Sequence, residues 1–158
     1  MEKMSLVSKL LERVQDTLDS VKPEQVLLNA IMDFQTTSVK DMQQNKLQES
    51  VDDLNLLADR IMLMNYELTA LRSNPEYNEA AYNEVLRGIV NDTELLNDGL
   101  AAAKVIENAI ELLTNSTAVE QLRSTKGRET VADLANVCKV FVRLREALAE
   151  HFTLSEAE

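Results

Sequence analysis

A chain of 158 residues, 45% hydrophobic and 27% charged, has the make-up of one globular domain, and at this length it buries roughly 70% of the surface its unfolded form exposes. Its 27 acidic against 16 basic side chains leave a net charge of -11, which phosphate backbones and anionic membrane surfaces repel, so neither direct nucleic-acid binding nor membrane association is expected. Aromatic residues make up only 4% with no Trp, so the core must be aliphatic; three Gly and two Pro supply few turns, which implies few, long elements and therefore helices.

The first segment carries Val7, Leu11, Val14, Leu18 and Val21, in alternating steps of four and three residues, with Leu10 widening the stripe. This predicts a helix from Ser5 to Val21. Pro23 suits a first helical turn and marks a new start. Leu27, Ile31 and Phe34 keep the spacing until Gln35-Thr36-Thr37-Ser38 interrupts it. Ser38 with Asp41 three residues on has the form of a cap. Residues 24–73 therefore read either as one kinked helix or as two. Leu47, Val51, Leu54, Ala58, Ile61 and Leu68 form the next stripe, flanked by Leu57, Met64 and Leu71.

Asn74-Pro75-Glu76 reads as an N-cap followed by a first turn. From there Tyr82, Leu86, Ile89, Thr93, Leu96, Leu100, Ala103, Ile106, Ile110 and Leu113 predict one helix of about 40 residues, on the order of 55–60 Å long. With the preceding helix it makes a long central hairpin over residues 38–114. Thr117 and Glu120 suggest a capping box for a short helix through Arg123, and Lys126-Gly127-Arg128 reads as the last break. The final helix carries Val131, Leu134, Cys138, Phe141, Leu148 and Phe152. The expectation is an all-α fold: an elongated antiparallel bundle of four or five helices in a single domain over residues 1–154, with an acidic, frayed tail at 155–158.

The stripes are wider than a two-stranded coiled-coil seam, which indicates burial against several neighbours. Gly99 with Ala101, Ala102 and Ala103 fits a close helix approach. No stretch approaches 18 consecutive apolar residues, and no apolar segment follows Met1-Glu2-Lys3-Met4-Ser5, so neither a membrane span nor a secretory signal is expected. Cys138 has no second cysteine to pair with, which suits a reducing, cytoplasmic setting.

Catalytic and metal-binding sets are scarce. A di-iron carboxylate bundle needs Glu-x-x-His pairs, and the only His is His151, with Leu148 three residues before it. One Cys and one His cannot make a zinc site. Cys138 reads as a core thiol and His151 as a surface residue. Glu49-x-x-Asp52 and Glu76-x-x-Glu79 superficially resemble the magnesium-holding pairs of all-α nucleotide pyrophosphatases. The hairpin would set them roughly 30 Å apart, however, and in a different order from that family. Glu49, Asp52, Asp53, Glu94 and Asp98 share a height on the hairpin but point outward by heptad position. No catalytic residue, cofactor or metal is expected.

Ile61-Met62-Leu63-Met64, Val140-Phe141-Val142 and Val26-Leu27-Leu28 are apolar all round a turn, more than one helix face can bury. They point to a central helix or to an interface, with Met62, Met64, Phe141 and Val142 as candidate partner contacts. Asn65 and Thr93 interrupt apolar stripes and are candidates for a register-setting polar pair. The expected function is a non-enzymatic protein-interaction module, an adaptor, assembly chaperone or inhibitor, that self-associates as a homo-oligomer and meets a protein partner of basic charge. The alternatives are a magnesium-dependent all-α hydrolase using helix-borne carboxylates and, last, an acidic nucleic-acid mimic.

Overall fold

In a computed structural model the described residues, 2–90 and 93–157, form an all-α fold with no strand among them. Helix α1 spans Glu2–Val21 and α2 Pro23–Thr36; a short α3, Val39–Gln43, leads into α4, Leu47–Arg72. Helices α5, Glu79–Val90, and α6, Thr93–Leu100, precede α7, Ala103–Asn115. A single-turn α8, Val119–Leu122, is followed by α9, Thr125–Ala157, the longest element at 33 residues.

The three-and-four spacing does set the core. Leu11, Val14, Leu18, Leu27, Leu54, Ile61, Leu96, Ile106, Leu134 and Leu148 are all buried. Helix α9 packs against α1, α2, α5, α6, α7 and α8, while α4 packs chiefly against α7, α2 and α1. Lys22 takes a left-handed conformation (φ 56°), which turns the chain sharply from α1 into α2, and Pro23 then supplies the first turn of α2.

Segment 24–73 resolves into α2, α3 and α4 rather than one or two helices. Ser38 caps α3 as its spacing with Asp41 suggested. Its hydroxyl accepts the Asp41 amide at 3.1 Å, and the Asp41 carboxylate accepts the Ser38 amide at 3.2 Å. That backbone donor holds the Asp41 carboxyl below its ordinary range.

Four expectations about the chain beyond residue 73 need correction. The long second arm of the hairpin is not one helix. Beyond Leu100 the ladder tightens, Ala102 N–H donating to the Gly99 carbonyl, and α7 starts afresh at Ala103. Alanine favours helix at these positions, so the interruption runs against local propensity; it falls next to where Gly99 approaches α9, an added Cβ there standing at contact distance, 3.4 Å from Leu144 and 3.6 Å from Phe141. The start of the arm also differs. The Asn74 side chain accepts the Glu76 amide and its carbonyl the Tyr77 amide in a local turn, and Asn78 caps α5 by accepting the Ala81 amide at 3.0 Å. Helix α5 then packs against α1 and α9 instead of continuing a simple hairpin along α4.

The last break lies before Lys126, not on it. Thr117 and Glu120 do not form the predicted box; the Gln121 carboxamide oxygen accepts the amides of Thr117 and Ala118 at 2.5 and 2.9 Å. Ser124 accepts the Gly127 amide, and α9 is already under way through Gly127. The helix continues through Ala157, and Glu158 of the expected tail lies outside the described residues.

Gly127 is required where it stands, because a Cβ there would meet the Leu122 carbonyl oxygen at 1.9 Å. Gly127→Ala should therefore cost about 1–3 kcal/mol of stability, read as a lower urea midpoint. Gly88→Ala, whose Cβ would meet nothing within 4 Å inside α5, should add about 0.5–1 kcal/mol of stability, read as a higher urea midpoint. Equal shifts for the two variants would show that the close approach at Leu122 is not what constrains Gly127.

Candidate functional site

The candidate site is a groove between α2 and α9. It encloses about 480 Å³, and its walls carry Leu28 and Ile31 from α2 and Ala135, Cys138 and Val142 from α9. Leu28 is 49% exposed and Val142 37%, and Met32, one turn beyond Leu28, is 58% exposed. Lys139, Arg143 and Glu146 form the polar rim on the α9 side. Two smaller recesses are of about 220 Å³, where Arg13 and Glu67 pair across the lining, and about 190 Å³, beside Asn115 and Gln121.

Two arginines set the walls. At the N-terminal end of α2, Arg145 from α9 donates to the Glu24 carboxylate and to the Leu18 carbonyl, each at 3.1 Å, and to Asp19 at 3.4 Å. At the C-terminal end of α2, Arg123 donates to the carbonyls of Gln35, at 3.1 Å, and Thr37. The last carbonyls of a helix have no intrahelical donor, and a cation there meets the negative end of the dipole. Helix α2 is thus held at both ends by guanidinium groups on or next to α9, which fixes the width of the groove between them.

Cys138 is not the core thiol its stripe predicted. It sits half-buried in the groove wall, its thiol directed at the Glu24 carbonyl at 4.0 Å. Burial, and secondarily the Glu24 carboxylate, push its pKa above the ordinary value. Asp33, on another side of α2, is also shifted upward by burial, although Ser50 donates a hydrogen bond to it. His151 is half-buried with its ring edge-on to Phe152, centroids 5.0 Å apart.

The four predicted contact residues divide. Met64 is 3% exposed and Phe141 fully buried, so both belong to the core; Met62 and Val142 lie at the surface. An apolar turn cannot be buried on every side, and here Ile61 and Met64 turn inward while Met62 and Leu63 turn out. Leu56, Met62, Leu63 and Tyr66 make a second exposed apolar area on α4, but it lies along one helix and is interrupted by the exposed Asp59 and Arg60. Of the candidate register pair, the structure describes the contacts of Asn65 alone. Asn65 donates to the Leu100 carbonyl of α6 at 2.8 Å and to the Ile61 carbonyl at 3.1 Å, while the Thr93 side chain lies outside the described residues. Asn65 thus supplies a donor to a carbonyl at the C-terminus of α6, where the helical ladder is interrupted.

Among the described residues no group of three or more His, Cys, Asp or Glu side chains converges as a metal-binding set. Glu49, Asp52, Glu94 and Asp98 are exposed. No helix among the described residues is long and apolar enough to cross a membrane. No protein-family model, curated protein or solved structure matches the chain.

A thiolate, not a thiol, attacks alkylating reagents, so a raised pKa slows the reaction at a given pH. Cys138 should react with iodoacetamide more slowly than a free cysteine at pH 8, with its rate-against-pH curve displaced toward higher pH. A curve superimposed on that of the urea-unfolded chain would contradict the burial of this thiol.

Proposed function

We propose that the chain is a non-enzymatic protein-interaction module, acting as an adaptor, assembly chaperone or inhibitor through the α2/α9 groove. The observation that carries this reading is the groove itself: concave, walled by aliphatic side chains, and wide enough to accept the apolar edge of another helix. A small-molecule site of this volume would be expected to show several convergent polar groups inside, and the polar groups here stand on the rim. Large exposed aliphatic residues grouped around one concavity suit burial by a protein partner better than contact with water.

The net charge of -11 favours encounter with a partner of basic net charge, chiefly by speeding association at low salt. At the groove the chemistry is different, because Lys139 and Arg143 present two cations on one edge of it. A docked helix is therefore best matched by aliphatic anchors three and four residues apart with a carboxylate on its flank. The lone thiol of Cys138 suits a reducing compartment, and a cytoplasmic setting belongs to the same reading.

The hydrolase alternative asks for carboxylates gathered round a hollow, and the exposed positions of Glu49, Asp52, Glu94 and Asp98 give it no support. The nucleic-acid mimic has no observation of its own in its favour.

The test uses the groove variant Leu28→Glu/Val142→Glu beside the unaltered chain. Both positions are exposed, so the helical circular dichroism and the urea midpoint should change little. Immobilised in native lysate, the variant should lose at least about tenfold of each protein that the unaltered chain retains. Retention of the same proteins in the same amounts by both chains would refute docking through this groove.

A further inference from the structure

We propose that the groove takes a second copy of the same groove, with two α9 helices packed antiparallel about a two-fold axis near Val142. This rests on the reading of the groove as a docking surface and names its occupant.

A two-fold interface brings one patch against itself, so every residue must tolerate its own neighbours arriving in reverse order. The outer line of α9 has that property. Lys139 and Glu146 both stand on the groove rim, seven residues apart, which is two helical turns or on the order of 10 Å. The exposed Val142 lies close to midway between them. An antiparallel copy centred there sets Lys139 beside Glu146 of the partner subunit and Glu146 beside the partner subunit's Lys139. Among the described residues neither side chain is engaged in an ion pair within the chain, so both are available.

The apolar residues follow the same symmetry. The two Val142 side chains meet near the axis, and Leu28 and Met32 of each α2 flank them, removing the exposed aliphatic surface around the groove from water. Ala135 is small, which lets a second helix approach α9 closely. Arg143 carries a three-carbon stem that can lie along the partner subunit's Val142 while its charge stays in solvent. Each copy carries a charge of -11, so association through most of the surface is opposed. Lys139 and Arg143 against the single acid Glu146 make the groove rim locally positive within that acidic surface, where the opposition is weakest.

The test is a charge exchange, measured by sedimentation equilibrium of the full chain from micromolar to near-millimolar concentration. The unaltered chain should reach a dimer and go no further. Lys139→Glu places four carboxylates together across the axis, and Glu146→Lys places four cations there; each should weaken dimerisation about tenfold. The double variant Lys139→Glu/Glu146→Lys restores both pairs and should recover the original affinity. The two single variants mixed together should form a heterodimer in preference to either homodimer; the weakening by each single variant and its recovery in the double variant are what an antiparallel pairing predicts and a parallel one does not. Cys138 supplies a second reading, since a bulky maleimide should label it more slowly as the dimer fills.

A strict monomer at every concentration, a dimer indifferent to these charges, or a mass that keeps growing with concentration would each overturn the second-copy proposal. If the chain is monomeric while Leu28→Glu/Val142→Glu still loses captured proteins, the groove docks another protein and only its occupant has been misassigned. If the charge exchange behaves as expected while capture is unchanged, the groove is a dimer interface, and the reading of it as the docking surface for other proteins is the one that falls.

Discussion

The fold depends on burying the apolar face of α9. Leu134, Val137, Phe141, Leu144 and Leu148 recur at three- and four-residue steps along it, and all are buried. Helices α5, α6, α7 and α8 run for 12, 8, 13 and 4 residues. Segments this short are marginal as isolated helices in water, because the first turn fixes several residues for one hydrogen bond. They gain stability by docking, and α9 touches each of them. An aliphatic core with few aromatic rings suits this arrangement, since Leu, Ile and Val fill the space between closely spaced helices in well-defined rotamers. Phe141 is the exception in size. It sits beside Gly99, where an added Cβ would stand 3.6 Å from its ring.

Polar ties do a different job: they settle where the helices end. Arg145 and Arg123 hold the two ends of α2 by its neighbouring carbonyls, Asn65 meets the Leu100 carbonyl at the interruption after α6, and Gln121 receives the amides leading into α8. At the C-terminus of α2 and at the start of α8 they take up backbone groups that the end of a helix leaves without its usual partner, whereas the Leu18 carbonyl also accepts the Lys22 amide. The net gain from such a bond is modest, about 1 kcal/mol, but leaving the same group buried and unsatisfied costs more. Apolar burial therefore favours compactness in general, and these few side chains select this arrangement among compact ones. The groove follows from them, for α2 is held antiparallel along one flank of α9 at a separation that leaves Cys138 and Ala135 in the groove wall.

What the sequence made legible was the periodicity. The rows through Leu11, Leu27, Leu54, Ile61 and Leu134 all turned inward because spacing alone dictates which side chains share a helix face. Ser38 with Asp41 was legible for a similar reason, its partners being only three residues apart. The apolar runs were harder to assign. The row Leu57, Met64 and Leu71 already placed Met64 inside, and the row Leu134, Phe141, Leu148 did the same for Phe141; counting consecutive apolar residues hid that signal. The interruption at Ala101 had no local cue, since it arises where Gly99 meets a helix some 40 residues further along the chain. Asn65 stood out in the sequence as a polar residue on an apolar stripe, but its bond to the Leu100 carbonyl was not legible, because no pattern of side chains displays a backbone acceptor. The groove was beyond reach for the same reason: its walls come from segments more than a hundred residues apart.

An open flank on α9 is itself informative. Helix α2 covers one side of that flank, and among the described residues the groove beside it stays open. Exposed positions such as Leu28, Met32 and Val142 accept polar side chains at little cost to a monomer, and solubility favours them there. Aliphatic side chains clustered around a concavity are the opposite choice. The contrast with α4 sharpens the point. There Leu56 and Leu63 are exposed on a single convex helix with Asp59 and Arg60 between them, a scattered pattern common on ordinary protein surfaces. At the groove the apolar residues are contiguous, come from two helices held at fixed separation, and are bordered by charges of both signs. A rigid, preformed cleft also spares a partner much of the ordering cost of association, so modest apolar contact there yields more affinity than the same contact on a mobile surface.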